Sequence, residues 1–230
     1  MGVEAGSTKD DFSDFFHQSI YQAIVDKRST IIGDPGQTIL PQIATSSSIS
    51  PHIHSYLYWV KLKLTPVDCI SSLYECGERL NALNERKAAI TFYEACIATV
   101  DEKQVSSPND SLSLLKFKVQ SLFGIANADV RTFLELDPMV KYPNTLRNML
   151  RCLKKIQYGM ELVIQIDVAP NREKYSYLIL NGSTHLFALC DPLTTLGYSR
   201  QVVEFFTWSI LSLEVSSFYL LHTFPHTNAH

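Results

Sequence analysis

Apolar residues recur at helical spacing over residues 70–101 and again over 183–214, and the two stretches superpose without a gap at a shift of 113 residues (186 − 73). Leu73 falls on Leu186, Cys76 on Leu189, Leu80 on Leu193, Phe92 on Phe205 and Ile97 on Ile210. In each stretch the apolar stripe breaks, at Asn84 or at Gly197, and then resumes on a second helical face. That spacing predicts two antiparallel helices joined by a tight turn, twice in the chain.

The small and large positions follow the tetratricopeptide template of W-x2-L-G-x2-Y then A-x3-F. Leu73, Cys76, Gly77, Leu80, Ala89 and Tyr93 fill it in the first copy, and Leu186, Leu189, Cys190, Leu193, Val202 and Phe206 in the second. Small residues such as Gly77 and Ala89 let two helices approach, and large ones such as Tyr93 and Phe206 fill the adjacent gap. Val202 is bulky where the template wants a small side chain, and no proline closes either unit. Two readings therefore stay open, a true repeat and two hairpins that converge on the same packing.

Elsewhere the pattern predicts a helix over 9–28, with Phe12, Phe15, Phe16, Ile20, Tyr21 and Ile24 on one face. Residues 29–52 read as a linker, because Gly33-Asp34-Pro35-Gly36 signals a turn and Thr45-Ser46-Ser47-Ser48 offers nothing to a core. From His54 to Leu64 the alternation of Tyr56, Tyr58, Val60, Leu62 and Leu64 is a strand pattern with no second strand nearby, so an extended lead-in and a short helix are both open. Pro66 suits the first turn of the first hairpin. A helix is expected from Asp110-Ser111 to about Ala126, with Leu112, Leu115, Val119, Leu122 and Phe123 buried. Residues 127–143 follow as a less regular stretch, in which a short helix before Asp137-Pro138 stays open. Asn144 is expected to cap a long helix to about Ile166, and another runs from about 172 to 196 into the final hairpin. The expected class is all-α: antiparallel helical hairpins in a tetratricopeptide-like or irregular α-solenoid array. The expected layout is an amphipathic helix over 1–28, a flexible linker over 29–52, a helical-hairpin domain over 53–214 and a divergent tail over 215–230.

Composition adds constraints more than chemistry. With 230 residues, 46% of them hydrophobic, the chain can bury a sizeable core in one or two domains. Net charge is −3 with both signs interspersed, and no basic stripe or RNA-reading motif supports a nucleic-acid role. No apolar run is long enough to span a bilayer. The N-terminus lacks the order of a signal peptide, and Gly6 stands where a myristoylation motif needs Ser or Thr. A soluble, intracellular protein is expected. In that setting Asn181-Gly182-Ser183 has no meaning as a sequon, and Cys69, Cys76, Cys96, Cys152 and Cys190 read as small buried hydrophobes.

No phosphate-binding loop, dinucleotide fingerprint, zinc-protease or nucleophile-elbow motif is present. Four weaker clusters remain. His222, His226 and His230 would share a face of a continuous helix and could hold zinc, but Pro225 interrupts it. His52 and His54 beside Pro51 read as a linker pair. Asp10, Asp11 and Asp14 could seed a metal or acid–base site, yet acids at a helix start more simply favour its dipole. Arg147, Arg151, Lys154 and Lys155 lie close on one helix and could meet an acidic surface such as tubulin; an ordinary solvated face is the simpler reading. Trp208 reads as a core anchor. No catalytic, cofactor-binding or metal site is assigned, and no cofactor is expected.

Three fragments carry a family resemblance: Leu180-Asn181-Gly182-Ser183-Thr184-His185, Leu196-Gly197-Tyr198-Ser199, and Val203-Glu204-Phe205-Phe206-Thr207-Trp208-Ser209. In order and spacing they resemble the N-terminal part of the cilia- and flagella-associated protein 54 family, and the likeness extends more weakly back through Tyr74 to Ile97. The resemblance implies a non-catalytic scaffold of the axonemal central apparatus, supporting axoneme assembly and the motility of cilia and the sperm flagellum. It implies other central-apparatus projection proteins as partners, contact with microtubules only indirectly, and residence in the cytoskeleton of the cilium. Nucleic acid, membrane and small-molecule partners are not expected, and no functional residue carries over. The alternative is a soluble tetratricopeptide-like adaptor that binds a peptide or a partner helix; an enzyme would need a polar cleft that these residues do not group into. Family members run far longer and continue differently after Glu214. The chain is therefore expected to be a shortened isoform, a fragment or a misread gene end. The apolar Phe218, Tyr219, Leu220, Leu221 and Phe224 are expected to be exposed unless they fold back.

Overall fold

The computed structural model describes residues 8–21, 45–102, 108–166 and 169–222, and every regular element among them is helical. The protein is all-α, as its periodicity predicts. It divides into two compact units, Met1–Gln104 and Val105–His230, a boundary that falls inside the 53–214 stretch read from sequence as one domain.

In the first unit, α1 (Lys9–Phe16) starts at Thr8, whose hydroxyl accepts the Asp11 N–H while the Asp11 carboxylate accepts the Thr8 N–H, a reciprocal capping box. The expected 9–28 helix passes into a π-helical turn at His17–Tyr21; its remainder lies outside the described residues. Next comes α2 (Thr45–Lys63), which begins inside the stretch that composition assigns to the linker. It also resolves the ambiguity at His54–Leu64 in favour of helix. Ile53, Tyr56 and Val60 are buried at i, i+3 and i+7, while Tyr58 and Leu62 of the alternating set face solvent. With no strand among the described residues to pair its backbone, the segment satisfies its own peptide groups as a helix.

Tyr56 is the hub of this unit. Its ring meets Phe12 at 6.1 Å and Phe16 at 5.6 Å from α1, and Phe92 at 5.7 Å from the first hairpin. These edge-to-face pairs bind α1 and α2 to the hairpin formed by α3 (Pro66–Ala82) and α4 (Arg86–Glu102). Thr65 caps α3, with Pro66 at its first turn as expected.

The second unit opens with α5 (Pro108–Leu136), ten residues longer at its C-terminal end than the expected stop at Ala126. The stretch looks irregular in sequence because Asn127 and Asp129 interrupt the apolar run. Both are satisfied sideways: Asn127 is 3.1 Å from His185 Nδ1, and Asp129 accepts from Lys155 at 3.0 Å. Ala126, Ala128 and Val130 carry the buried face onward, and Leu114 is buried more deeply than the expected Leu112 and Leu115. The chain then turns at buried Asp137, whose carboxylate accepts the N–H groups of Lys141 and Tyr142, both at 3.0 Å. In α6 (Pro143–Ile164) the cap position is Tyr142, without a side-chain bond; Asn144, the expected cap, sits inside the first turn behind Pro143. The expected 172–196 helix is two, α7 (Ala169–Tyr175) and α8 (Tyr177–Thr195), broken at Ser176. Last is α9 (Ser199–His222). The core joins α5, α6 and α8 around Phe123, Met149, Leu153, Ile156, Met160 and Leu186.

The shift of 113 residues survives in three dimensions. Helices α3 and α8 end at Ala82 and Thr195, and α4 and α9 begin at Arg86 and Ser199. Both turns are Schellman motifs built on equivalent atoms. The Glu85 N–H reaches the Leu80 carbonyl and the Tyr198 N–H reaches the Leu193 carbonyl, each at 2.9 Å. Asn84 (φ 57°) and Gly197 (φ 90°) hold the left-handed position that such a turn requires.

Candidate functional site

The polar groups that come together in the first unit do so in a narrow seam between α1, α2 and α3. Lys9 Nζ lies 2.7 Å from Glu75 Oε1, Arg79 Nη1 is 3.5 Å from Ser13 Oγ, and the Cys76 thiol is 3.3 Å from the Tyr56 hydroxyl. The seam encloses about 10 Å³, room for one water at most. Burial pushes the Cys76 thiol up to about 12 and raises the Tyr56 phenol as well. At neutral pH both are protonated, so neither is a nucleophile or a general base. Ser72 Oγ is buried nearby without a hydrogen-bond partner. Cys152 and Cys190 are likewise pushed up to about 12 by burial, and all five cysteines are buried outside any disulfide, in keeping with their reading as small hydrophobes.

The other clusters marked in the sequence resolve one by one. Asp10, Asp11 and Asp14 are exposed, and the bonds from Thr8 hold the Asp11 carboxyl below the usual range. Asp10 and Asp11 lie in the first turn of α1, where acids favour the helix dipole, and Asp14 lies in its last turn. The basic group on α6 splits: Arg147, Arg151 and Lys154 face solvent, while Lys155 turns to Asp129. His54 is exposed; the side chains of His52 and His222, together with His226 and His230, lie outside the described residues. Among the described residues no group of three His, Cys, Asp or Glu side chains could hold a metal. The side chains of residues 217–222 and all of Phe224 also lie outside them. Trp208 packs against the core with part of its surface exposed.

The fragments that carry the resemblance are packing devices. A β-carbon at Gly182 would stand 2.5 Å from Met160 Cγ and 2.8 Å from Phe123 Cζ, so α8 can lie this close to α5 and α6 only with glycine there. A β-carbon at Gly159 would meet the same Phe123 ring at 2.8 Å. His185 packs on Phe123 at 5.6 Å, and the Tyr198 hydroxyl donates to the Val140 carbonyl at 2.9 Å.

Sequence reasoning missed the outer ridge of the last hairpin. Ile210 is placed with the apolar face by periodicity, yet it is 57% exposed, alongside Leu180, Phe187 and Val203. The inward positions of α9 are instead Val202, Phe205, Ser209, Ser212 and Ser216. The signal lay in that serine row: Ser209 and Ser212 take the places of Cys96 and Thr99, marking the face that packs closely. Apolar residues occur on both sides of α9, so periodicity alone cannot choose between them.

Fold and surfaces together define an all-α protein assembled from antiparallel helical hairpins, with its sequence motifs committed to helix packing. Residues 109–223, all within the second unit, match the family model of cilia- and flagella-associated protein 54. The chain belongs to that family. It is also 30% identical over 144 residues to cilia- and flagella-associated protein 54 of Chlamydomonas reinhardtii, an alignment that covers 60% of this chain and 4% of that relative's length. The family is named for its association with cilia and flagella. Among the described residues no helix is long and apolar enough to cross a membrane.

Proposed function

We propose that this chain is a non-catalytic structural scaffold of the axonemal central apparatus, contributing to axoneme assembly and to the motility of cilia or the sperm flagellum. Its partners are other axonemal projection proteins, with microtubules contacted indirectly. The observation that supports this reading is where the family-like residues act. Gly182 lets helices pack closely and Tyr198 ties the last hairpin's turn to the Val140 carbonyl, while the outer faces of the last hairpin present apolar side chains to solvent. A segment built that way works by stacking and by docking proteins. The test is expression of the tagged 230-residue chain in ciliated cells. Retention on detergent-extracted axonemes is expected, and an even cytosolic distribution with nothing retained would overturn the proposal.

A second reading, a tetratricopeptide-like adaptor that takes a peptide or partner helix, is favoured by one observation. The two hairpins share their turn hydrogen bonds atom for atom at the 113-residue shift. Recovery of peptide ligands with no axonemal protein would select it over the scaffold.

A further inference from the structure

We propose that the outer face of the α8–α9 hairpin docks an amphipathic helix that carries a basic residue at each end of an apolar stripe about three turns long. The face is a ridge of Leu180 and Phe187 from α8 with Val203, Phe206 and Ile210 from α9, centred on the Phe187–Phe206 ring pair at 5.6 Å. Phe187 is 62%, Ile210 57% and Val203 51% exposed, a density of large apolar surface that an ordinary solvated face does not carry. Two antiparallel helices with a shared apolar ridge form the groove in which a third helix beds its own stripe.

The occupant's charge follows from a comparison with the first hairpin. The aromatic pair recurs there as Tyr74 and Tyr93, 6.2 Å apart, and the acid beside it recurs as Glu78, equivalent to Asp191. In the first hairpin the Tyr93 hydroxyl donates to Glu78 at 2.6 Å, so the acid is satisfied within the unit. In the second, Phe206 stands where Tyr93 would be and has no hydroxyl to give. Asp191 is exposed with no ion pair among the described residues. Glu214, one turn beyond Ile210, is exposed in the same way.

Because the helices run antiparallel and Phe187 faces Phe206, these two carboxylates lie at opposite ends of the ridge, roughly 18 Å apart at the helical rise per residue. Glu204 adds a third acid beside Val203, and Arg200, next to the turn, is the one Lys or Arg residue in 177–222. An apolar strip closed by an acid at either end selects lysine or arginine at matching places on its partner. It repels phosphate surfaces, which disfavours lipid and nucleic acid. Ridge-to-ridge pairing of two copies would set acid against acid, which disfavours self-association.

The inference rests on the scaffold reading only for the biological use of the contact, so its test is made in solution. The probe is a designed 18-residue amphipathic helix with leucines on one face and two lysines three turns apart, compared with the same peptide carrying glutamates there. Fluorescence anisotropy on the intact chain at low salt should show the lysine peptide binding about tenfold more tightly, with the difference shrinking as salt rises. The double variant D191N/E214Q should abolish the discrimination with helical content unchanged, and Ile210→Ser should weaken both peptides. Equal affinity for the two peptides, or binding indifferent to Ile210→Ser, overturns the proposal. So does a concentration-dependent dimer in sedimentation that Phe187→Ser abolishes, since the ridge would then be a self-interface. Failure of axonemal retention would sink the scaffold reading and leave these binding results standing.

Discussion

A β-carbon at residue 77 would stand 2.6 Å from Tyr93 Cε1. The ring cannot simply swing away, because it is fully buried and its hydroxyl is bonded to Glu78. Gly77→Ala should therefore destabilise the protein by about 1–3 kcal/mol, the usual cost of an overpacked core, measurable as a lowered urea midpoint. The buried thiols give a second prediction at this scale. Burial lifts Cys76 from the ordinary thiol value of 9.0 to about 12. A group raised in the folded state adds stability that is complete below its unfolded value and lost as pH climbs through its folded one. The unfolding midpoint should thus fall between pH 9 and about 12. At pH 8, alkylation of Cys76 should keep pace with global unfolding, and rapid labelling of the native chain would contradict its burial. Gly77 and Tyr93 were legible in the sequence as a small–large pair. The Tyr93–Glu78 bond was not, since nothing in a linear pattern says which acid a tyrosine will reach.

At the scale of elements, local signals did well wherever the polar residues faced water. The hairpins, their turns at Asn84 and Gly197, and the proline start of α3 all follow from spacing and cap chemistry, whereas α6 starts at Pro143 behind Tyr142 and not at the expected Asn144 cap. They failed where polar residues were satisfied by another helix. The expected stop near Ala126 misses the last third of α5 because Asn127 and Asp129 are held by His185 and Lys155. They failed also in α2, whose alternating apolar residues fit strand and helix alike. Only the placement of Tyr56 among Phe12, Phe16 and Phe92 shows which side is inward. Tyr56→Ala should cost about 3–5 kcal/mol by leaving a cavity where three helices meet. Thermal unfolding followed by circular dichroism at 222 nm checks it, and a variant as stable as the parent would mean the hub is dispensable.

At the scale of the whole molecule, the chain is two hairpin-based units, and the second contains the whole family-matched range. The candidate site is a surface, so it was the least legible part of the sequence. Catalytic motifs announce themselves by residue type and spacing; a docking ridge is made of the same leucines, phenylalanines and isoleucines as a core. What the sequence determined by itself was helical class, the paired hairpins and the family, because these depend on periodicity and on the order of packing residues along one chain. Tertiary structure decided which apolar face of each helix turns inward and which polar groups find partners across helices. It also decided that residues 183–214 bury a serine-lined face while leaving Phe187, Val203 and Ile210 in water. The reason is physical: a helix with apolar residues on two sides has no inward side until a neighbour covers one of them.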